Sequence, residues 1–147
     1  MKRIVVIGLA AAALAATIAT ASSAASRVPG FRTPTGNIRC LYVTGSSNTI
    51  LCSISRASYA QQLQGRCMGP IGAGVDWHGF SLGASKKGAI LCTGGILYAG
   101  RPSYATLPYG KSFRRGAFTC TSRLAGVTCR SRSGHGIFVS RQAYRTW

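Results

Sequence analysis

The polarity of the chain changes character near residue 26. Residues 4–25 carry no charge and residues 4–19 are almost wholly apolar, whereas beyond them apolar residues come in short runs separated by glycine, serine, threonine, asparagine and proline. Alternation with a period of two marks a strand with one face buried. Runs of this kind occupy residues 38–43, 49–54, 89–93, 96–98, 117–121, 127–130 and 136–139, with turn residues between almost all of them. No long apolar stripe of helical period follows residue 26. There is room for one short helix over residues 57–64, capped by Ser55 and ended by Gly65, and for a second after Ser140. The expected fold is all-β, or β-rich with one or two short helices: a small antiparallel barrel or a sandwich of hairpins.

The first 25 residues have the three parts of a secretory signal peptide. Lys2 and Arg3 supply the charged start, residues 4–19 the apolar middle, and Ala19-Thr20-Ala21 and Ser23-Ala24-Ala25 the small-residue exit. Cleavage is expected after Ala21, Ala24 or Ala25, leaving residues 26–147 as a single domain. A run this rich in alanine spans a bilayer weakly, so no stable membrane span is expected after cleavage.

Six cysteines, Cys40, Cys52, Cys67, Cys92, Cys120 and Cys129, follow the signal. An even number in an exported chain predicts three disulfides. Folding residues 37–43 onto 49–55 about Ser46 places Cys40 opposite Cys52. Folding residues 118–122 onto 127–131 about a loop at 123–126 places Cys120 opposite Cys129. Residues facing each other across a non-hydrogen-bonded pair stand about 4.5 Å apart at Cα, close enough for a disulfide. Cys67 then pairs with Cys92. A Gly-x-apolar-x-Cys pattern at Gly36, Gly88 and Gly116 turns Ile38, Ile90 and Phe118 to the same side as the cysteine two places on. No cysteine or histidine spacing suits a metal, and neither metal nor cofactor is expected.

Charge then changes the picture. The full chain carries 18 Lys and Arg against one acidic side chain, Asp76; without Lys2 and Arg3, sixteen cations face one acid, a net +15. Chemistry needing two side-chain carboxylates is excluded. Such a surface attracts anionic polymers: nucleic acid, lipopolysaccharide or acidic polysaccharide. Between residues 98 and 118 rings alternate with cations, and Arg101, Tyr104, Tyr109, Lys111, Arg114 and Arg115 are the expected binding residues. Against this stands the plainer reading that the rings face the core and the charges face water.

Catalytic candidates are sparse. His135, His78 and Asp76 could serve acid–base chemistry on a phosphodiester, with cations stabilising the developing charge. A histidine between glycines more often serves a tight turn, and a lone aspartate among arginines more often holds one of them. Gly79-Phe80-Ser81-Leu82-Gly83 matches a nucleophile elbow in letters only, because the expected context is a strand-to-helix turn of a parallel sheet. Gly110-Lys111-Ser112 lacks the first glycine of a phosphate loop, Ala105 standing in its place.

Several blocks together resemble a known family: residues 31–40, Asp76-Trp77, residues 107–110, and the ending from Cys120 and Cys129 through Gly134-His135-Gly136 to Ser140-Arg141. Over residues 31–144 the chain is similar to the small exported bacterial proteins grouped as domain of unknown function 6636. The resemblance implies an exported, disulfide-stapled domain and agrees with cysteines paired in chain order. It implies no activity. His78 stands where the family pattern has glycine, which counts against it as a shared catalytic group, whereas Asp76, His135, Ser140 and Arg141 lie on the pattern. Asp76 is expected to anchor Arg141 as an internal ion pair.

The functional expectation is a monomeric exported module binding an anionic envelope or extracellular polymer, periplasmic or released, with binding favoured over catalysis. A small secreted phosphodiesterase or ribonuclease-like enzyme is one alternative. A protein-binding inhibitor or adhesion module is the other.

Overall fold

Two hairpins whose buried positions alternate set up the fold. In the computed structural model, which describes residues 27–45, 48–68, 75–94 and 103–147, β2 (Ile38–Val43) and β3 (Thr49–Ile54) pair antiparallel with Cys40 opposite Cys52. Ile38, Cys40, Tyr42, Ile50 and Cys52 are buried while Arg39 is exposed. β8 (Phe118–Arg123) and β9 (Gly126–Ser131) pair with Cys120 opposite Cys129. These strands run further than their alternation suggests, so the turn shrinks to Leu124-Ala125 and Arg123 faces Gly126. The expected signal peptide, the expected strand at 96–98, Ser46, Tyr98 and Arg101 lie outside the described residues.

Both hairpins are closed by a cross-strand disulfide, with Cα atoms 4.1 Å apart for Cys40–Cys52 and 3.9 Å for Cys120–Cys129. They also meet. The sulfurs of Cys40, Cys52 and Cys129 lie within 4.8 Å of one another, one hairpin's disulfide against the other's. All are oxidised, so this cluster offers no thiolate to a metal. The third disulfide joins Cys67 to Cys92. Three disulfides belong to an oxidising, non-cytoplasmic compartment. No helix among the described residues is long and apolar enough to cross a membrane.

The remaining strands extend the hairpins into two sheets. One has the order β5-β4-β3-β2-β1-β6, with β1 (Arg27–Arg32), β4 (Asp76–Gly83), β5 (Ala89–Thr93) and β6 (Ser103–Thr106); the other is β11-β10-β9-β8-β7, with β7 (Ser112–Arg115), β10 (Gly136–Val139) and β11 (Tyr144–Thr146). Every pairing is antiparallel except β1 with β6. The sheets are open and stack face to face around one core that includes Phe31, Ile50, Phe80, Leu82, Phe118, Val127, Ile137 and Val139. The fold is a β-sandwich stapled by disulfides, not a closed barrel.

The strands that alternation does not reveal have identifiable causes. β1 contains Pro29 and Gly30, and Gly30 is required because a Cβ there would strike the Cys40 carbonyl oxygen. β4 carries a bulge: Trp77 faces Cys92 and Gly79 faces Leu91, leaving His78 as the extra residue, which breaks the period of two. β6 and β7 are short edge strands of mostly polar composition. After Ser140 there is no second helix. The Ser140 hydroxyl accepts the Gln142 and Ala143 N–H groups at 3.3 and 3.0 Å, and this tight turn sends Tyr144–Thr146 back along β10.

The single helix among the described residues, α1 (Ala60–Met68), starts later than expected and passes through Gly65. Leu63 and Cys67, one turn apart on its buried face, explain this: burial and the Cys67–Cys92 bond hold the last turn against the weak propensity of glycine. Two glycines therefore have opposite meanings. Gly65 has open space around its Cα, whereas Gly79 has φ 125° and a Cβ there would collide with the Cys52 carbonyl. Gly65→Ala should raise unfolding free energy by about 0.5–1 kcal/mol. Gly79→Ala should lower it by about 2 kcal/mol or more. Urea unfolding with disulfides intact measures both.

Candidate functional site

Turns from both sheets meet at one end of the sandwich around a cleft of about 250 Å³, lined by three arginines, Arg56, Arg123 and Arg141, with Thr35, Asn37 and Tyr109 among its other walls. Each arginine is placed by its backbone. Asn37 clamps Arg56 at two points, its Oδ1 accepting the Arg56 N–H at 2.9 Å and its Nδ2 donating to the Arg56 carbonyl at 3.1 Å. Asn37 itself follows the β1–β2 turn, in which Gly36 has φ 70° and Thr33 Oγ1 accepts the Ile38 N–H at 3.2 Å. Arg123 ends β8 beside the Leu124-Ala125 turn.

Arg141 lies in the Ser140–Ala143 turn. Its carbonyl accepts the Ser58 N–H at 2.9 Å, and the Tyr59 hydroxyl donates to the Ser140 carbonyl at 2.8 Å. Arg56 and Arg141 also line an adjoining hollow of about 310 Å³ with Ser55, Ala57, Ser58 and Ala60. Among the described residues none of the three guanidinium groups is hydrogen-bonded or ion-paired, and all three residues are exposed. Converging arginines with no internal partner suit a phosphate or carboxylate, which a guanidinium grips through paired N–H donors.

Asp76 does not neutralise this cleft. Its Oδ1 accepts Gln64 Nε2 at 2.8 Å, and Gln64 Oε1 accepts the Trp77 N–H at 2.9 Å. The expected Asp76–Arg141 ion pair is absent among the described residues. Asp76 is exposed, where an ion pair gains little, and α1 brings the Gln64 amide to it first.

The histidines are held apart. His78 is the bulge residue near the start of β4, whereas the turn containing His135 docks at the other end of that strand, Ser133 Oγ donating to the Ala84 carbonyl at 2.8 Å. Six residue steps of extended chain lead from His78 to Ala84, roughly 20 Å. Ser81 sits inside β4 between Leu51 and Ala89, not at a strand-to-helix turn.

The cation–aromatic tract divides between the sheets. Tyr104 lies on β6, half-buried; Tyr109 lines the cleft; Lys111 is exposed in the turn before β7. Arg114 is exposed on β7, and Arg115 lies over the buried Tyr42 ring at 5.9 Å. Phe113 turns inward onto Phe31, with ring centroids 5.2 Å apart, and Phe118 is buried. These described rings and cations do not share one face.

The family of unknown function DUF6636 matches residues 8–146. The chain belongs to that family. No curated protein and no solved structure matches it. In this DUF6636 chain, blocks far apart in sequence converge on the cleft: residues 31–40 supply Thr33, Thr35 and Asn37, residues 107–110 supply Tyr109, and the C-terminal block supplies Ser140 and Arg141. Arg56 and Arg123 escape a reading of the sequence because nothing local distinguishes them from the other arginines. The one available signal is that each adjoins a turn.

Tyr59 ties this end to the core, packing on Trp77, Phe80 and Tyr144. Burial, with Tyr144 beside it, pushes its hydroxyl pKa up from 10.0 to about 12. The folded state therefore keeps a proton that the unfolded chain releases from about pH 10, so this contribution to stability is intact below that pH and falls as pH rises towards about 12. Urea unfolding across that window should show the decline, and Tyr59→Phe should flatten it while costing about 1 kcal/mol at neutral pH for the lost hydrogen bond.

Proposed function

We propose that this protein is an exported module, periplasmic or extracellular, that binds an anionic envelope or extracellular polymer, with the arginine cleft as its anchoring point. The observation that carries the reading is the convergence of Arg56, Arg123 and Arg141 on one cleft while the sole acidic side chain is held elsewhere by Gln64. The full chain's net charge of +17 adds a long-range attraction for any polyanion. A cleft of about 250 Å³ is smaller than the pockets that enclose drug-sized ligands. It suits one charged group of a longer chain, with neighbouring groups held by the surrounding cations. Apolar residues at 4–19 behind Lys2 and Arg3 support export, and disulfides support an oxidising destination.

Titrating the domain beyond residue 25 with heparin, lipopolysaccharide and double-stranded RNA, at salt from about 50 to 200 mM, tests the reading. Affinity for at least one should fall by about tenfold or more across that range. The triple variant Arg56→Ala, Arg123→Ala, Arg141→Ala should weaken that binding by about tenfold and flatten its salt dependence, with little change in melting temperature. Binding insensitive to salt, no binding at low salt, or a triple variant that binds as tightly as the parent would overturn it.

A further inference from the structure

The register of the five-stranded sheet lines up its outward residues in two rungs. Arg114 faces Thr119, which faces Arg130, which faces Gly136; two residues further along the strands, Ser112, Thr121, Thr128, Phe138 and Arg145 face one another in turn. Their strand neighbours Cys120, Cys129 and Ile137 point the other way, into the core. Trp147 completes the first rung, exchanging backbone hydrogen bonds with Gly136 at 3.0 Å and covering the space a Cβ of Gly136 would take.

The rings here differ from three other half-buried aromatics of the molecule. Trp77, Phe113 and Tyr144 pack against the core cluster, but Phe138 and Trp147 do not. Each instead covers a glycine of its own sheet, Phe138 over Gly126 and Trp147 over Gly136, so both remain half-exposed on a floor of short threonines. Arginines rim that floor. The guanidinium groups of Arg130 and Arg145 lie 5.4 and 5.8 Å from the Trp147 ring centre, and Arg114 is exposed on the edge strand. Arg130, Arg145 and Trp147 also enclose a hollow of about 270 Å³. Five strands about 4.8 Å apart make a platform roughly 19 Å across.

We propose that this face is a second binding surface, whose occupant is single-stranded nucleic acid. The half-exposed Phe138 ring and the guanidinium groups that lie over the Trp147 ring present stacking surfaces for unpaired bases, while the arginines also meet the phosphates. A duplex keeps its bases stacked within itself and offers none to the rings. An acidic polysaccharide would use the charges without base stacking. Of this surface only Gly126, beneath Phe138, also lines the arginine cleft; its rings and arginines do not, so it stands or falls separately from the anchoring role proposed there.

The chain has two tryptophans, Trp77 and Trp147, and only the latter lies on this face. An oligothymidylate of about ten nucleotides should quench tryptophan fluorescence saturably and bind about tenfold or more tightly than a duplex of the same length. Trp147→Phe should abolish most of the quenching while holding affinity within about threefold. Phe138→Leu, which keeps apolar cover over Gly126, should weaken binding about fivefold or more, and Arg130→Ala with Arg145→Ala by about tenfold. The triple cleft variant should quench like the parent. Oligothymidylate binding that leaves Trp147 emission unchanged, equal affinity for the duplex, quenching by heparin as strong as by oligothymidylate, or loss of oligothymidylate binding in the cleft variant but not in the face variants would each overturn the proposal.

Discussion

Two disulfides in contact at the centre of the sandwich hold together a molecule that its own charge drives apart. Cys40–Cys52 belongs to one sheet and Cys120–Cys129 to the other, and the sulfurs of Cys40, Cys52 and Cys129 lie within 4.8 Å of one another in the middle of the core. Each staple shortens the unfolded chain's freedom by closing a hairpin, and contact between them buries four sulfurs where the sheets face each other. A domain of this size buries a modest core. With a net charge of +17 over the full chain and one acid to oppose it, repulsion favours expansion. The covalent closures act on the unfolded state and are indifferent to that repulsion, which is why the surface can remain so cationic.

With the two hairpins locked, the rest follows from what packs against them. The helix is held at its C-terminal end by Cys67–Cys92 and carries Gln64 to Asp76, which uses up the only acidic side chain outside the lining of the arginine cleft. The cleft is the consequence of where turns fall. The β1–β2 turn, the β8–β9 turn, the β10–β11 turn and the segment before α1 converge at one end of the sandwich, and each carries or positions an arginine through its backbone. The outer face of the five-stranded sheet arises differently, from strict alternation: each inward cysteine or isoleucine obliges its neighbours to point outward, and those neighbours are threonine, arginine and two rings.

The parts legible in the sequence are those with local causes. Strands β2, β3, β5 and β10 lie where alternation puts them, and the registers of the two central hairpins follow from turn position and cysteine spacing. β1, β4, β6, β7 and β11 are not legible, because proline, glycine, a bulge at His78 or a polar edge disguises the period. The helix over residues 57–64 is displaced to Ala60–Met68, since the disulfide to Cys92 outweighs a glycine's preference to end a helix. Of the six binding residues expected between Arg101 and Arg115, Tyr109 lines the cleft and Arg114 lies on the outer face; the tract is cut in two because β6 and β7 join different sheets.

By itself the sequence determined the sign of the surface, the oxidising chemistry of its cysteines and the β character of the chain, because charge, thiol number and a period of two are properties of composition and near neighbours. Only the tertiary structure decided which cations act together. Arg56, Arg123 and Arg141 are separated by 67 and 18 positions and meet through turns of two different sheets, while Arg130, Arg145 and Trp147 meet through strand register. The pairing of Asp76 with Gln64 rather than with an arginine belongs to the same category. Such contacts depend on the packing angle of a helix and the order of strands in a sheet, which no local pattern of residues encodes.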